Sequence, residues 1–289
     1  MLSGFTNSRV TSPLEAYIHL TTDWQQRRDV LLAMRNRKID VARLFLHERT
    51  RFIDPFQECS ELSRFITPEG DFCTIKMDVV PFEGVKSVRQ VFDAMHFYLT
   101  NLEIAMTEMS GNVTVLENDE NTEATVLHYR LATAERGDIL VENSCVIFLD
   151  TSGLDCDNAN HQNVVITADF VDRDDLFPYR PIQRLRKEST SVMKLSACRR
   201  KHVGVVPASG DSKSMEKEDE LVVVLTRWFF VRMRRPEMAV PEPVLRNITD
   251  NLTVCSDDMI HYIREGLHPS STIEQSESSL VGPEFGQKL

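Results

Sequence analysis

The sequence predicts an α+β fold in which a curved antiparallel sheet packs against one long C-terminal helix, with a helical segment ahead of it. Three observations carry that expectation. Between Asp71 and Val231, apolar residues alternate with polar ones in runs separated by polar turns. Connections this short favour an antiparallel meander, because parallel neighbours need crossover helices. One capped helix interrupts the strands, and Glu242 to Leu267 carries a single apolar stripe of helical spacing, on the order of 35 Å long at about 1.5 Å per residue.

Each element has its own signal. From Pro13 to about Ile53, Leu14, Tyr17, Ile18, Trp24, Leu31, Met34, Val41, Leu44 and Phe45 give a rough helical stripe, and Asp54-Pro55 is a stop. Cys73, Ile75, Met77 and Val79 alternate with Thr74, Lys76 and Asp78, as in a strand. Ser87 followed by Gln90 is a capping-box arrangement. Val88, Val91, Phe92, Met95, Leu99 and Leu102 then recur at threes and fours. Ile104 to Met109 and Val113 to Leu116 are weaker strand candidates. Leu127, Tyr129 and Leu131 predict one strand, and the run from Ile139 to Leu149, with Phe148, predicts another. Val164 to Val171 and Leu221 to Val231 are near-continuous apolar runs, expected of strands covered on both faces. Polar turns are expected over Glu117 to Glu123, Thr133 to Gly137 and Ser152 to Gln162, with a solvated loop over Pro207 to Glu220. In the terminal helix Pro243 suits the first turn and Val244, Ile248, Leu252, Cys255, Met259 and Ile263 form the stripe. Gly266 and Pro269 end it. The resulting organisation is a helical segment over 1–66, a sheet-and-helix domain over 67–267 and a Ser- and Glu-rich disordered tail over 268–289.

The 289 residues are 42% hydrophobic and 27% charged, which excludes a wholly disordered chain, a collagen and a multi-pass membrane protein. No secretory signal opens the chain, and the longest apolar run, Leu221 to Val231, is broken by Thr226 and Arg227, well short of the roughly 20 residues of a membrane span. Cys59, Cys73, Cys145, Cys156, Cys198 and Cys255 show neither Cys-x-x-Cys nor zinc-ligand spacing, so reduced thiols are expected. The expected compartment is the cytoplasm, with the nucleus open. The Asn-x-Thr triplets at Asn112, Asn247 and Asn251 are then chance matches. Although the net charge is −11, the segment Arg27 to Arg51 holds eight Arg and Lys against three acids. It is either a solvated helix face or a contact for phosphate or an acidic partner. A basic zipper is excluded because Leu44, not a basic residue, stands eight positions after Asn36.

Catalytic signatures are missing. Gly204 and Gly210 are one residue too far apart for a phosphate loop, and Asp211 stands where Lys belongs. There is no Gly-x-Ser-x-Gly, and Arg51 occupies the second His position of the start at His47-Glu48. Asp169, Asp172, Asp174 and Asp175 offer hard oxygens for a divalent cation but lack a calcium loop's Gly turn and distant Glu; they read better as a strand leaving the core. His96 and Asp93 on the capped helix could form an acid/base pair in a cavity, though a helix His is more often packed or exposed. No catalytic residue, metal ligand or cofactor is assigned. Met77, Phe92, Met95, Phe148 and Phe230 are among the adaptable side chains that either fill a solid core or line a cavity for a hydrophobic ligand.

The segment VVVLTRWFFVRMRRPEMAVPEPVLRNITDNL (Val222 to Leu252) resembles the end of START domains, where a strand, a Pro-bearing turn and a Leu-Asn-containing helix follow one another. MDVVPFEGVKSVRQVFDAM, VVITADFVDRDDLFPY and VVVLTRW are similar to segments of the oomycete mating-specific protein family, whose members carry START-like regions. The resemblance covers about Asp71 to Leu267. It implies a helix-grip fold with a cavity between sheet and terminal helix, able to take a sterol, a phospholipid or another apolar molecule. A charged residue usual inside such cavities has no assignable counterpart here. The expectation is non-catalytic binding of a lipid or hydrophobic small molecule. Val224, Trp228 and Phe230 would lie on one strand face, and Leu252, Cys255, Met259 and Ile263 on the helix covering it. The alternative is a regulatory module with a filled core, its basic segment Arg27 to Arg51 contacting a protein partner; nucleic acid is not expected. Hydrolytic or cyclase chemistry would need a buried ionisable group that the sequence does not reveal.

Overall fold

A computed structural model describes residue 14 and residues 16–156, 158, 161–201 and 219–267. The tail over 268–289 and nearly all of the loop Pro207 to Glu220 lie outside the described residues. In chain order the elements are β1 (His19–Leu20), α1 (Trp24–Thr50), β2 (Cys59–Ile66), β3 (Phe72–Phe82), α2 (Val88–Thr100), α3 (Leu102–Ser110), β4 (Thr114–Glu123), β5 (Val126–Glu135), β6 (Ile139–Asp150), β7 (Asn163–Phe170), β8 (Arg173–Asp174), β9 (Arg184–Arg200), β10 (Glu220–Met233), α4 (Glu242–Asp250) and α5 (Val254–Leu267). Eight strands form one sheet in the order β2-β3-β10-β9-β7-β6-β5-β4. Its pairings are antiparallel apart from a short parallel contact of β6 with β9 at Leu140, Val141 and Glu142. The fold is therefore α+β, as expected.

Both faces of the sheet are covered, which accounts for the apolar runs in β7 and β10. On one face α2 and α5 cover Leu127, Ile147, Ile166, Leu195 and Leu225, with Met95, Met259 and Ile263 in the same cluster. On the other face α1 lays Leu31, Ile39, Ala42 and Leu46 over Val146, Val165, Val192 and Trp228. Because side chains alternate along a strand, β10 sends Val223 and Leu225 to the α5 face and Trp228 and Phe230 to the α1 face. Side chains cap both helices, α1 and α2. Asp23 caps α1 by accepting from Gln26 N at 2.8 Å. Ser87 Oγ accepts from Gln90 N at 3.2 Å, and Gln90 Oε1 in turn accepts from Lys86 N at 2.8 Å.

Several expectations are corrected. The stretch Glu242 to Leu267 is two helices, parted by a turn at Asn251, Leu252 and Thr253. Asn247, Thr249, Asp250, Asn251 and Thr253 are all weak helix formers, and the buried Leu252 and Thr253 hold the turn. Ile104 to Met109 is helical within α3, ended by Gly111 in the left-handed region at φ 67°. The polar stretch Glu117 to Glu123 belongs to strand β4 at the sheet edge, where polar and charged residues are the rule. Residues 59–66, placed above in the N-terminal helical segment, form the opposite edge strand β2, paired with β3. The 17-residue β9, near the centre of the sheet, was not expected.

Candidate functional site

Between the sheet, α2, α3 and the start of α5 lies a chamber of about 110 Å³. Its walls are Tyr98, Leu99, Leu102, Met106, Tyr129, Leu131, Ile147, Ala168, Met193, Phe229, Leu252 and Met259, with Asn143, Cys145, Lys187, Ser189, Ser191 and Arg227 supplying polar atoms. Strands β5, β6, β7, β9 and β10 each contribute inward residues at period two. The helices close the top. A second, more polar hollow of about 300 Å³ lies outside, lined by residues that include Asn112, Thr133, Glu135, Arg136 and Asn247. The two share Met106, Asn143, Lys187 and Leu252, so these four residues stand at the boundary, the throat, between a polar vestibule and an apolar chamber.

The throat carries unused hydrogen-bonding capacity. Asn143 Nδ2 donates to Ser189 Oγ at 3.3 Å, while its buried Oδ1 has no protein partner. The Ser189 hydroxyl both donates and accepts, so the amide can turn either its oxygen or its NH2 toward the throat. Lys187, half-buried on β9, has no ion pair or hydrogen bond among the described residues. Glu135 on the vestibule wall is held by Asn112 Nδ2 at 2.9 Å; burial pushes its carboxyl up, against Lys187 and that hydrogen bond, which pull it down.

The other charges are committed. Arg227, fully buried on β10, donates from Nε to Asp78 at 2.7 Å, and its Nη2 lies 3.5 Å from Asp257 on α5. Lys76 bonds Asp257 as well and stands 3.8 Å from Asp78. Two cations and two carboxylates thus tie the start of α5 to the sheet beside the chamber. Cys145 is no nucleophile at neutral pH: burial and the Asp169 carboxylate push its thiol up to about 12.

The expected ligand-binding set divides between the two faces. Leu252 and Met259 line the chamber. Phe92, Met95 and Ile263 are buried in the core around it without reaching its wall, where Tyr98 and Leu99 stand instead. Cys255 lies in α5, its side chain outside the described residues. Met77, Phe148, Trp228 and Phe230 face α1 on the opposite side of the sheet, and Val224 packs with Val79 and Val222 beside Ile53 and Phe56. The placement of Val224, Trp228 and Phe230 under the terminal helix is therefore corrected. The helix spacing was right, but the parity of β10 had two solutions and an apolar run reads the same in both. Sequence reasoning missed Asn143, Lys187, Ser189, Ser191 and Arg227. Arg227 alone had a visible signal, a charge inside a run expected to be covered on both faces.

The remaining candidates resolve into structure. Asp169 pairs with Lys38, Asp174 takes both guanidinium nitrogens of Arg27 at 2.7 and 2.9 Å, Asp175 accepts from Arg173 at 2.8 Å and contacts His19, and Asp172 accepts from Ile18 N at 2.8 Å. No metal-holding cluster occurs among the described residues. Asp93 is exposed and His96 lies against the ring of Phe92, with 5.5 Å between centroids. Of the eight basic residues from Arg27 to Arg51, Arg27, Arg35, Lys38 and Arg43 turn onto the sheet, bonding Asp174, Leu149 O, Asp169 and Asp150. That segment is largely a fastening for α1. No helix among the described residues is long and apolar enough to cross a membrane.

No family model matches the chain, and no curated protein matches it. The likeness to the mating-specific family finds no support there. Among solved structures, human STARD10 is similar over 78% of this chain and 79% of that one, with 9% identity and a TM-score of 0.37. The di-domain ARO/CYC StfQ from the steffimycin biosynthetic pathway is similar over 86% of this chain, which spans 61% of that one, with 11% identity and a TM-score of 0.30. Ara h 8.0201 is similar over 71% and 99% of the two chains, with 8% identity and a TM-score of 0.26. At these scores the likenesses carry no argument about ligand or activity, and the helix-on-sheet architecture stands on the strand order and packing described above.

Proposed function

We propose that the chain binds a small hydrophobic or amphipathic molecule in the chamber under α5, without transforming it. The observation that supports this reading is the chamber itself: mostly apolar walls between the sheet and the helices, sharing four lining residues with a more polar hollow outside. Well-packed cores leave few voids larger than a water molecule. At about 110 Å³ the chamber is below the roughly 300–1,000 Å³ of sites for drug-sized ligands, and near the roughly 150 Å³ cavity that takes one benzene. A single ring or a short acyl segment fits, whereas a sterol or phospholipid requires α5 to move outward. Burial of apolar ligand surface would drive association.

Weighing the purified full chain under native and then denaturing conditions tests the reading, before and after incubation with small aromatic and short-chain amphiphiles. A mass present only in the native state supports it. A bare mass in every case overturns it. Ala168 lines the chamber from β7, so Ala168→Leu should fill it and abolish loading, with thermal stability kept or raised.

A further inference from the structure

We infer that the throat selects a monocarboxylate: the ligand's carboxylate is held by Lys187 and Asn143, its ring or short chain in the chamber beyond. This deepens the reading above and rests on it. Lys187 and Asn143 both line the two hollows, each one residue beyond the parallel pairing of Glu142 on β6 with Arg186 on β9, strands that meet out of sequence order. An ammonium partly withdrawn from water with no counter-charge within 4 Å is uncommon, because losing solvent without gaining a partner is costly. A buried amide atom without a partner is costly for the same reason. One ligand group satisfies both. A carboxylate has two acceptor oxygens, one for the Lys187 ammonium and one for the Asn143 NH2, which Ser189 permits by accepting or donating as needed.

The neighbouring groups fix the sign of the charge. Arg227 on the inner wall is taken by Asp78 and Asp257, and on the outer wall Lys187 and Arg136 stand against the single carboxylate of Glu135, which Asn112 hydrogen-bonds. The lining charge at the throat is therefore positive on balance, which favours an anion over an amine, and a neutral alcohol gains no ion pair there. The chamber volume limits the apolar part to one ring or a chain of a few carbons, and the vestibule leaves the head group partly hydrated. Such a ligand buries its apolar end and keeps one face of its carboxylate wet, which lowers the desolvation it must overcome.

The experiment is calorimetric titration of the full chain with 3-phenylpropanoate, 3-phenylpropan-1-ol and 3-phenylpropylammonium, on the native protein and on Lys187→Gln and Lys187→Arg. The acid is expected to bind tighter than the alcohol by roughly tenfold to a hundredfold, the worth of one charge-assisted hydrogen bond. Lys187→Gln should remove that difference while leaving the alcohol's affinity in place, and Lys187→Arg should keep it. Equal binding of acid and alcohol, or a preference for the ammonium, overturns carboxylate selection and leaves the cavity reading standing. Failure of all three probes, together with a bare native mass, removes the reading and this inference with it. Because the Lys187 side chain makes no ion pair or hydrogen bond among the described residues and acts on Glu135 only at longer range, the Lys187→Gln chain should unfold close to the temperature of the native chain; should it not, the Lys187→Arg titration and the acid-to-alcohol ratio on the native chain decide the matter.

Discussion

Lys38 bonds both Asp169 and the carbonyl of Leu14, with its side chain 4% and that of Asp169 2% exposed. Burial alone pushes the Asp169 carboxyl up, while Lys38, Thr190 and the Phe170 N–H pull it back. A buried pair of this kind is expensive to break from one side, because the survivor keeps its charge without its counter-ion. Lys38→Met is expected to cost about 3–5 kcal/mol in urea unfolding. Lys38→Met with Asp169→Leu should recover a large part of that loss, even though Thr190 and Leu14 lose a partner. A double variant as unstable as the sum of the single ones would show that the two charges act independently.

At the level of elements, the start of the capped helix α2 was legible: Ser87 accepts from Gln90 N as the capping box predicts, although Gln90 returns to Lys86 N rather than Ser87 N and Leu102, read as part of the stripe, opens α3. Ser87→Ala should lower stability by about 1 kcal/mol, measured by chemical denaturation. The strands β3, β5, β6, β7 and β10 were legible too, because their apolar alternation or continuity follows from packing on one or two faces. Strand β9 was not, and the reason bears on function. Its α5 face carries Lys187, Ser189 and Ser191 before reaching Met193 and Leu195, and its α1 face carries Arg186, Glu188 and Thr190 before Val192. Polar residues that line the chamber on one side, and a Glu188 held by Arg186, Arg232 and Arg234 on the other, erase the hydrophobic period by which strands are recognised. The candidate site was illegible for the same cause. Leu252 and Met259 were found through helix spacing, whereas Lys187 and Asn143 meet only through strand pairing that no local pattern encodes. The split into α4 and α5 was likewise hidden, since the apolar stripe runs through Leu252 whether or not the backbone turns there.

Across the whole molecule, α1 is fastened to the sheet by acids that the sequence offered as a metal site. The basic helix and the acidic strand exit pair with one another, and α1 thereby closes the outer face of the sheet. This arrangement dictates a response to acid. Burial pushes the Asp174 carboxyl up, but Arg27 and the Phe177 N–H hold it below its ordinary 3.8, and Ser152 with Arg43 does the same for Asp150 against burial. A carboxylate lowered in the folded state contributes stability that is fully present above its unfolded value and is lost as pH falls through the folded one. For these two groups the loss therefore falls below about pH 4. Asp169 and Asp172 are raised by burial, so they take up protons at higher pH and move stability the opposite way, adding to it as pH falls toward about 4, before Asp174 and Asp150 titrate. Urea midpoints measured from pH 6 to pH 3 are expected to hold or rise slightly down to about pH 4 and then to drop. Amide exchange in α1 should accelerate over the same interval. Arg27→Met removes the group that holds Asp174 down, so that variant should start less stable and show a shallower drop. Profiles of the native and Arg27→Met chains that stay parallel throughout would assign the acid sensitivity to another part of the sheet.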